Sequence, residues 1–146
     1  MINSESAFRS GFITVIGKPN VGKSTIINSL LGEKVAITSP KPQTTRSNLR
    51  AIITEPDYQM IFIDTPGIHT PKNKLGEYMV ASASATFGEV DVIVMVCDAT
   101  DRALSQNDVR IIEKLKAVKN KPVFLVINKT DAVRKELLLE KIKTYA

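Results

Sequence analysis

A chain of 146 residues makes about one domain and is long enough to bury a real core. With 43% hydrophobic and 24% charged residues, its composition excludes wholesale disorder, and its few aromatics (5%, no Trp) make the core aliphatic. The net charge is +5; the lone Cys97 excludes an internal disulfide and a Cys-based zinc site, and the lone His69 argues against a His-rich metal centre.

The run Gly11-Phe12-Ile13-Thr14-Val15-Ile16 is rich in β-formers, ends at Gly17 and reads as a strand. Residues 23–31 have helical character and stop at Gly32, a C-terminal cap. Residues 33–48 hold two prolines and three threonines without a helical period, which predicts a long surface loop. Residues 49–55 and 58–64 flank Pro56-Asp57, whose turn chemistry predicts a hairpin. Thr65-Pro66-Gly67 breaks the second strand, residues 68–74 read as a polar loop, and residues 75–87 as a helix. Residues 91–98 are apolar without alternation, the pattern of a buried parallel strand. Residues 105–118 predict a helix with Val109, Ile111, Ile112, Leu115 and Val118 as its apolar set. Residues 122–128 read as a second buried strand and residues 133–145 as a final helix. The order β-α-β-β-α-β-α-β-α predicts an α/β fold. Its sheet is mostly parallel, with helices on both faces and one antiparallel strand at an edge.

The longest apolar runs, residues 92–97 and 123–127, are far too short to span a membrane. The first six residues are polar and carry no signal-peptide pattern, so a reducing, cytoplasmic compartment is expected. Residues 110–146 hold ten basic and four acidic side chains, against ten and eleven in residues 1–109. That basic last quarter fits either an anionic partner such as RNA or lipid or a pair of solvated helix faces, and charge alone does not choose.

Three motifs carry chemistry. Gly17-Lys18-Pro19-Asn20-Val21-Gly22-Lys23-Ser24 fits G-x-x-x-x-G-K-S/T directly after a strand and opening a helix. Glycines there let the backbone curl round phosphate oxygens, and the helix N-terminus adds partial positive charge. Lys23 would reach the β- and γ-phosphates and the Ser24 hydroxyl would ligate Mg²⁺. Chance produces this motif in about one chain in two hundred of this length. Asp64-Thr65-Pro66-Gly67 ends a strand; Asp64 can hold Mg²⁺ through water and Gly67 can offer an N–H to a γ-phosphate. Alone it is weak, since chance supplies D-x-x-G in about half of such chains. Asn128-Lys129-Thr130-Asp131 follows a buried strand and suits guanine. The Asp131 carboxylate can accept from both guanine N1–H and the exocyclic amine, whereas adenine would leave it poorly satisfied, which disfavours an ATPase. Asn128 would brace the loops and Lys129 would cover the base. Within Gln43-Thr44-Thr45-Arg46, a threonine hydroxyl, Thr45 rather than Thr44, would complete the Mg²⁺ shell when triphosphate is bound.

With these motifs in order, the chain resembles the Era family of bacterial ribosome-assembly GTPases. The resemblance rests on Gly17-Lys18-Pro19-Asn20-Val21-Gly22-Lys23-Ser24-Thr25, on Val35-Ala36-Ile37-Thr38-Ser39-Pro40-Lys41-Pro42-Gln43-Thr44-Thr45-Arg46, on Asp64-Thr65-Pro66-Gly67-Ile68-His69 and on Asn128-Lys129-Thr130-Asp131. A sister family with two tandem GTPase domains is a close neighbour, but its loop before Thr-Arg usually reads differently. The resemblance implies a P-loop NTPase three-layer sandwich with sheet order 2-3-1-4-5-6. It further implies GTP and GDP as ligands, Mg²⁺ as cofactor and a KH domain following the GTPase domain. Its partners would be 16S rRNA and the small ribosomal subunit, with peripheral association at the inner face of the cell membrane. Since the chain ends at Ala146, residues 1–146 are expected to be an incomplete GTP-binding domain. The fifth motif, sixth strand, last helix and KH domain would be absent, and one sheet face would be partly bare. The chain is expected to be a monomer. Alternatively, it is a non-catalytic nucleotide-binding fragment of such a GTPase.

Ile68 stands where Ras-like enzymes place a water-orienting glutamine, and it cannot hydrogen-bond a water. Catalysis is then expected to rest on Lys23, Thr45, the Gly67 backbone and Asn20, which in related GTPases helps bind an activating K⁺ beside the phosphates. Cys97 reads as a buried core residue. His69 reads as a surface-loop histidine, although it could approach the γ-phosphate. Arg46 reads as solvent-exposed rather than as an arginine finger. The leucines of Leu137-Leu138-Leu139 and Ile142, flanked by lysines, read as packing against the sheet rather than lying on a membrane.

Overall fold

The computed structural model describes residues 7–32, 49–63 and 86–145. Strands β1 (Arg9–Ile16), β2 (Leu49–Thr54), β3 (Tyr58–Ile63), β4 (Val92–Asp98) and β5 (Val123–Asn128) form one sheet in the order β2-β3-β1-β4-β5. Every pairing is parallel except β2 with β3, so the antiparallel strand lies at an edge, as expected. Helix α1 (Lys23–Leu31) follows β1, α2 (Gln106–Lys116) follows β4, and α3 (Lys135–Tyr145) follows β5 after a 3-10 turn at Thr130–Ala132. Residues 86–89 are also helical. The predicted loops at 33–48 and 68–74 and most of the predicted helix 75–87 lie outside the described residues. No helix among those described is long and apolar enough to cross a membrane.

The unalternating β4 run has a physical counterpart. Ile93 and Met95 face one core, while Val94 and Val96 face the other. On the first face, Ile27 and Leu31 of α1 pack with Val15, Ile53, Phe62 and Val96. On the second, Ile111 and Phe87 pack with Ile16, Ile93 and Met95, joined by Ile112, Leu115, Val118 and Tyr145. Helices thus cover both faces of the sheet. Cys97 is buried, and burial raises its thiol pKa above the ordinary value despite a hydrogen bond with Tyr145.

Several boundaries move, each for a local reason. β1 begins two residues early because Arg9 and Ser10 find partners in Tyr58 and Gln59. The hairpin turn closes where the Glu55 N–H donates to the Tyr58 carbonyl at 2.8 Å. Ser105 is the cap of α2 rather than its first residue: its hydroxyl accepts from the Asp108 N–H, and the Asp108 carboxylate accepts from the Ser105 N–H at 3.0 Å. Val109 of α2 is exposed rather than buried. Lys121 closes the end of the helical segment 86–89 by donating to the Phe87 and Gly88 carbonyls, at 2.6 and 3.0 Å.

Two burial expectations fail. β5 is not a buried strand over its first half: Val123, Phe124 and Leu125 are exposed, Phe124 by 56%. β5 is the outer strand on its side of the sheet, so only β4 covers its flank. Of the α3 leucines only Leu138 is half-buried; the others are not packed as predicted. Leu137, Leu139 and Ile142 are exposed, Leu139 by 66%, and α3 buries no residue fully.

Candidate nucleotide site

The loop 17–22 joins β1 to α1 and needs glycine at both ends. Gly17 has φ +149°, and a Cβ there would strike the Val96 carbonyl oxygen on β4. Gly22 has φ +99°, and a Cβ there would strike the Asn128 side-chain amide. Between them Asn20 also sits in the left-handed region, at φ 65°. Gly22 caps α1 without a side-chain hydrogen bond, so the first-turn N–H groups have no side-chain acceptor at the cap. Lys23 is the first residue of α1 and is only 8% exposed. Its ammonium donates to the Gly17 and Lys18 carbonyls, each at 2.6 Å. Ser24 and Thr25 follow on the same turn, both exposed.

The second loop leaves β5 at Asn128. The Asn128 Nδ2 donates to the Val21 carbonyl at 2.9 Å, across 107 residues of sequence. Lys129 takes a left-handed conformation, φ 60°, and its ammonium donates to the Asn20 carbonyl at 2.9 Å. Asp131 lies two residues on, exposed on the 3-10 turn, which closes through Ala132 N–H to the Lys129 carbonyl at 3.1 Å.

A third segment, the turn after β4, holds both loops. Asp98 Oδ2 pairs with Lys129 Nζ at 2.6 Å. Its Oδ1 accepts from the Thr100 N–H at 2.8 Å and the Thr100 hydroxyl at 2.6 Å. Burial pushes this carboxyl up, but Lys129 and Thr100 together outweigh it and hold it down at about 2. Asp101 Oδ2 pairs with Lys18 Nζ at 2.5 Å and raises the pKa of that ammonium, while Lys141 of α3 donates to the Asp101 carbonyl.

The structure therefore brings together Gly17, Lys18, Pro19, Asn20, Val21, Gly22, Lys23, Ser24, Thr25, Asn128, Lys129 and Asp131 at the ends of β1 and β5. Thr45, Asp64, Thr65, Pro66 and Gly67 lie outside the described residues, as do Arg46, Ile68 and His69. Asp98 and Asp101 were not anticipated from the sequence. For Asp98 the only local signal is an Asp at a strand end with Thr two residues later, the pattern of a side chain that folds back on its own turn; Asp101 has none. Chemically, an uncapped helix N-terminus and ammonium groups along one loop suit phosphate oxygens, and the Ser24 hydroxyl beside them is an oxygen donor that suits Mg²⁺.

Comparison with known proteins matches residues 12–129 to a family described as 50S ribosome-binding GTPase. The chain is 54% identical over 139 residues to the GTPase Era of Clostridium novyi (strain NT), covering 95% of this chain and 47% of that protein. It is 53% identical over 140 residues to the GTPase Era of Ruminiclostridium cellulolyticum, covering 96% and 46%. The chain thus spans about half the length of the curated relatives it matches. Among solved structures it is similar to Era in complex with MgGDPNP and nucleotides 1506–1542 of 16S ribosomal RNA, with TM-score 0.68, 42% identity and coverage of 93% and 46%. It is equally similar in sequence, at 42%, to an Aquifex aeolicus Era variant bound to GDP·AlF4−, with TM-score 0.66 and coverage of 92% and 46%.

Proposed function

The chain belongs to the 50S ribosome-binding GTPase family, alongside its Era relatives, and from that premise we propose that it binds GTP and GDP with Mg²⁺ and hydrolyses GTP to GDP and phosphate. One observation carries the reading. Asn128 and Lys129 of the guanine-type motif hydrogen-bond the Val21 and Asn20 carbonyls of the phosphate-type loop, so two motifs far apart in sequence form one site.

The residue roles follow from the chemistry. Asp131 accepts from guanine, Lys129 covers the base and Asn128 holds the two loops in register. The loop of Gly17, Lys18, Pro19, Asn20, Val21 and Gly22, with Lys23, Ser24 and Thr25, wraps the phosphates. Asp64, Thr65, Pro66 and Gly67 complete the γ-phosphate side. Bound Mg²⁺ neutralises charge on the β- and γ-oxygens, and Ser24, Thr45 and Asp64 are the residues that would hold it. The nucleophile is water, and no protein group becomes covalently modified. Lys23 and the Gly67 N–H offset charge developing on the γ-phosphate, and Asn20 would hold K⁺ beside it. Without a supplied arginine or glutamine, basal turnover is expected on the order of 10⁻⁴ to 10⁻² s⁻¹. Equal hydrolysis rates in K⁺ and Na⁺ would remove the role given to Asn20.

The biological setting we infer is assembly of the small ribosomal subunit. Support comes from the relative at 42% identity that was crystallised with 16S ribosomal RNA. We place the RNA contact on the KH domain that the resemblance to Era implies after the GTPase domain. The cytoplasmic setting, with peripheral contact at the inner membrane face, rests on the family resemblance alone.

The deciding experiment is a fluorescence titration of this chain with labelled GDP and labelled ADP in Mg²⁺ and K⁺. Tight GDP-selective binding is expected, and Asp131→Asn should weaken GDP by about 100-fold because the base loses its charged acceptor. Unselective binding, or an Asp131→Asn variant that binds like the parent, would overturn the assignment.

A further inference from the structure

We propose that Asp98 is a positioning residue of the guanine site, setting the geometry of the base loop through Lys129. The inference deepens the guanine reading above and rests on it. It begins with a strained residue. Lys129 has a β-carbon and φ 60°, the left-handed region that residues other than glycine adopt at a cost. Something must offset that cost, and the ammonium has two partners that do. Asp98 Oδ2 lies at 2.6 Å and the Asn20 carbonyl at 2.9 Å.

Asp98 is itself held before it meets Lys129. Thr100 donates to its Oδ1 twice, from the backbone N–H and from the hydroxyl. The Ala99 N–H donates to the Asn128 carbonyl at 2.9 Å, which ties the end of β4 to the end of β5. The carboxylate therefore presents a fixed anion at the base of the second loop. Lys129 bends over to reach it, and that bend sets where the 3-10 turn carrying Asp131 begins. Asp98 belongs to none of the three nucleotide motifs and acts one residue removed from the base. Its effect should be read in nucleotide release, which depends on how well the loop is held.

The test is a double-mutant cycle on labelled-GDP dissociation, using Asp98→Asn, Lys129→Met and the pair. Asparagine keeps an oxygen for Thr100 but cannot accept from an ammonium at its nitrogen. Methionine keeps the aliphatic stem of Lys129 but loses the charge. Asp98→Asn is expected to speed GDP release about fivefold. In the Lys129→Met background the same change should alter release by less than about twofold. A role confined to folding would show the full effect in both backgrounds, and that additivity would overturn the proposal. If Asp98→Asn does not fold, Thr100→Val takes its place in the cycle, with an expected speeding of about twofold that also vanishes with Lys129→Met. An unchanged release rate in a parent that prefers GDP to ADP sinks the positioning role and leaves the guanine site standing. A parent that does not prefer GDP sinks both.

Discussion

Gly22 shows how much one residue decides. Its φ of +99° and its contact with the Asn128 amide mean that alanine meets both backbone strain and a clash. Gly22→Ala is expected to cost about 1–3 kcal/mol of stability. It should also weaken labelled-GDP binding more than tenfold, an effect on the order of 1.4 kcal/mol or above. A urea unfolding curve and the titration check the two separately. Asp98 supplies a pH signature. Its carboxyl is held at about 2 when folded, against about 3.9 for an unfolded Asp. The charged form is favoured by folding, so its contribution is complete above about pH 4 and is lost as pH falls through about 2. The urea midpoint of the parent should exceed that of Asp98→Asn by a constant margin from pH 5 to pH 7, and the margin should shrink from pH 4 down to pH 2.5. A margin that stays constant throughout would mean that Asp98 does not titrate as described.

At the level of elements, the cap of α2 is the clearest handle. Asp108 is 1% exposed and its carboxylate accepts from both the Ser105 N–H and the Ser105 hydroxyl. Ser105→Ala removes the hydroxyl on which the buried carboxylate and the Asp108 N–H both rely. A loss of about 1–2 kcal/mol is expected in urea unfolding, with GDP affinity unchanged. The elements themselves were readable from sequence because their signals are local. Gly32 ends α1, Pro56-Asp57 turns the hairpin, and the apolar run at 92–98 marks a strand covered on both faces. What was not readable depends on partners. Arg9 and Ser10 become strand only because β3 lies alongside. Val123, Phe124 and Leu125 look like core, yet hydrophobicity states a preference for burial and not whether a neighbour supplies it. The phosphate-type and guanine-type loops were legible because their residue types and spacing are restrictive. Asp98 was not, since its partner lies 31 residues away and an Asp at a strand end is common.

For the molecule as a whole, the exposed apolar residues of β5 and α3 are the feature that bears on handling. Phe124 is exposed on the outer strand of the sheet, and Leu137, Leu139 and Ile142 are exposed on α3. Sedimentation at rising concentration is expected to show self-association of this chain rather than the monomer expected from its sequence, and Phe124→Lys should reduce it without lowering the unfolding free energy by more than about 0.5 kcal/mol. Identical sedimentation of parent and variant would clear Phe124 of that role. The sheet order also bears on how the chain is made. β1 lies in the middle of the sheet, and Phe12 hydrogen-bonds Asp91 across 79 residues of sequence. At about 5–20 residues per second, a ribosome takes about 4–16 s to synthesise that interval. For those seconds the first strand to be made has no β4 to pair with, and β3 reaches it only part of the way through. The strand at the centre of the finished sheet is thus an unpaired apolar segment for much of synthesis, open to association until β4 arrives.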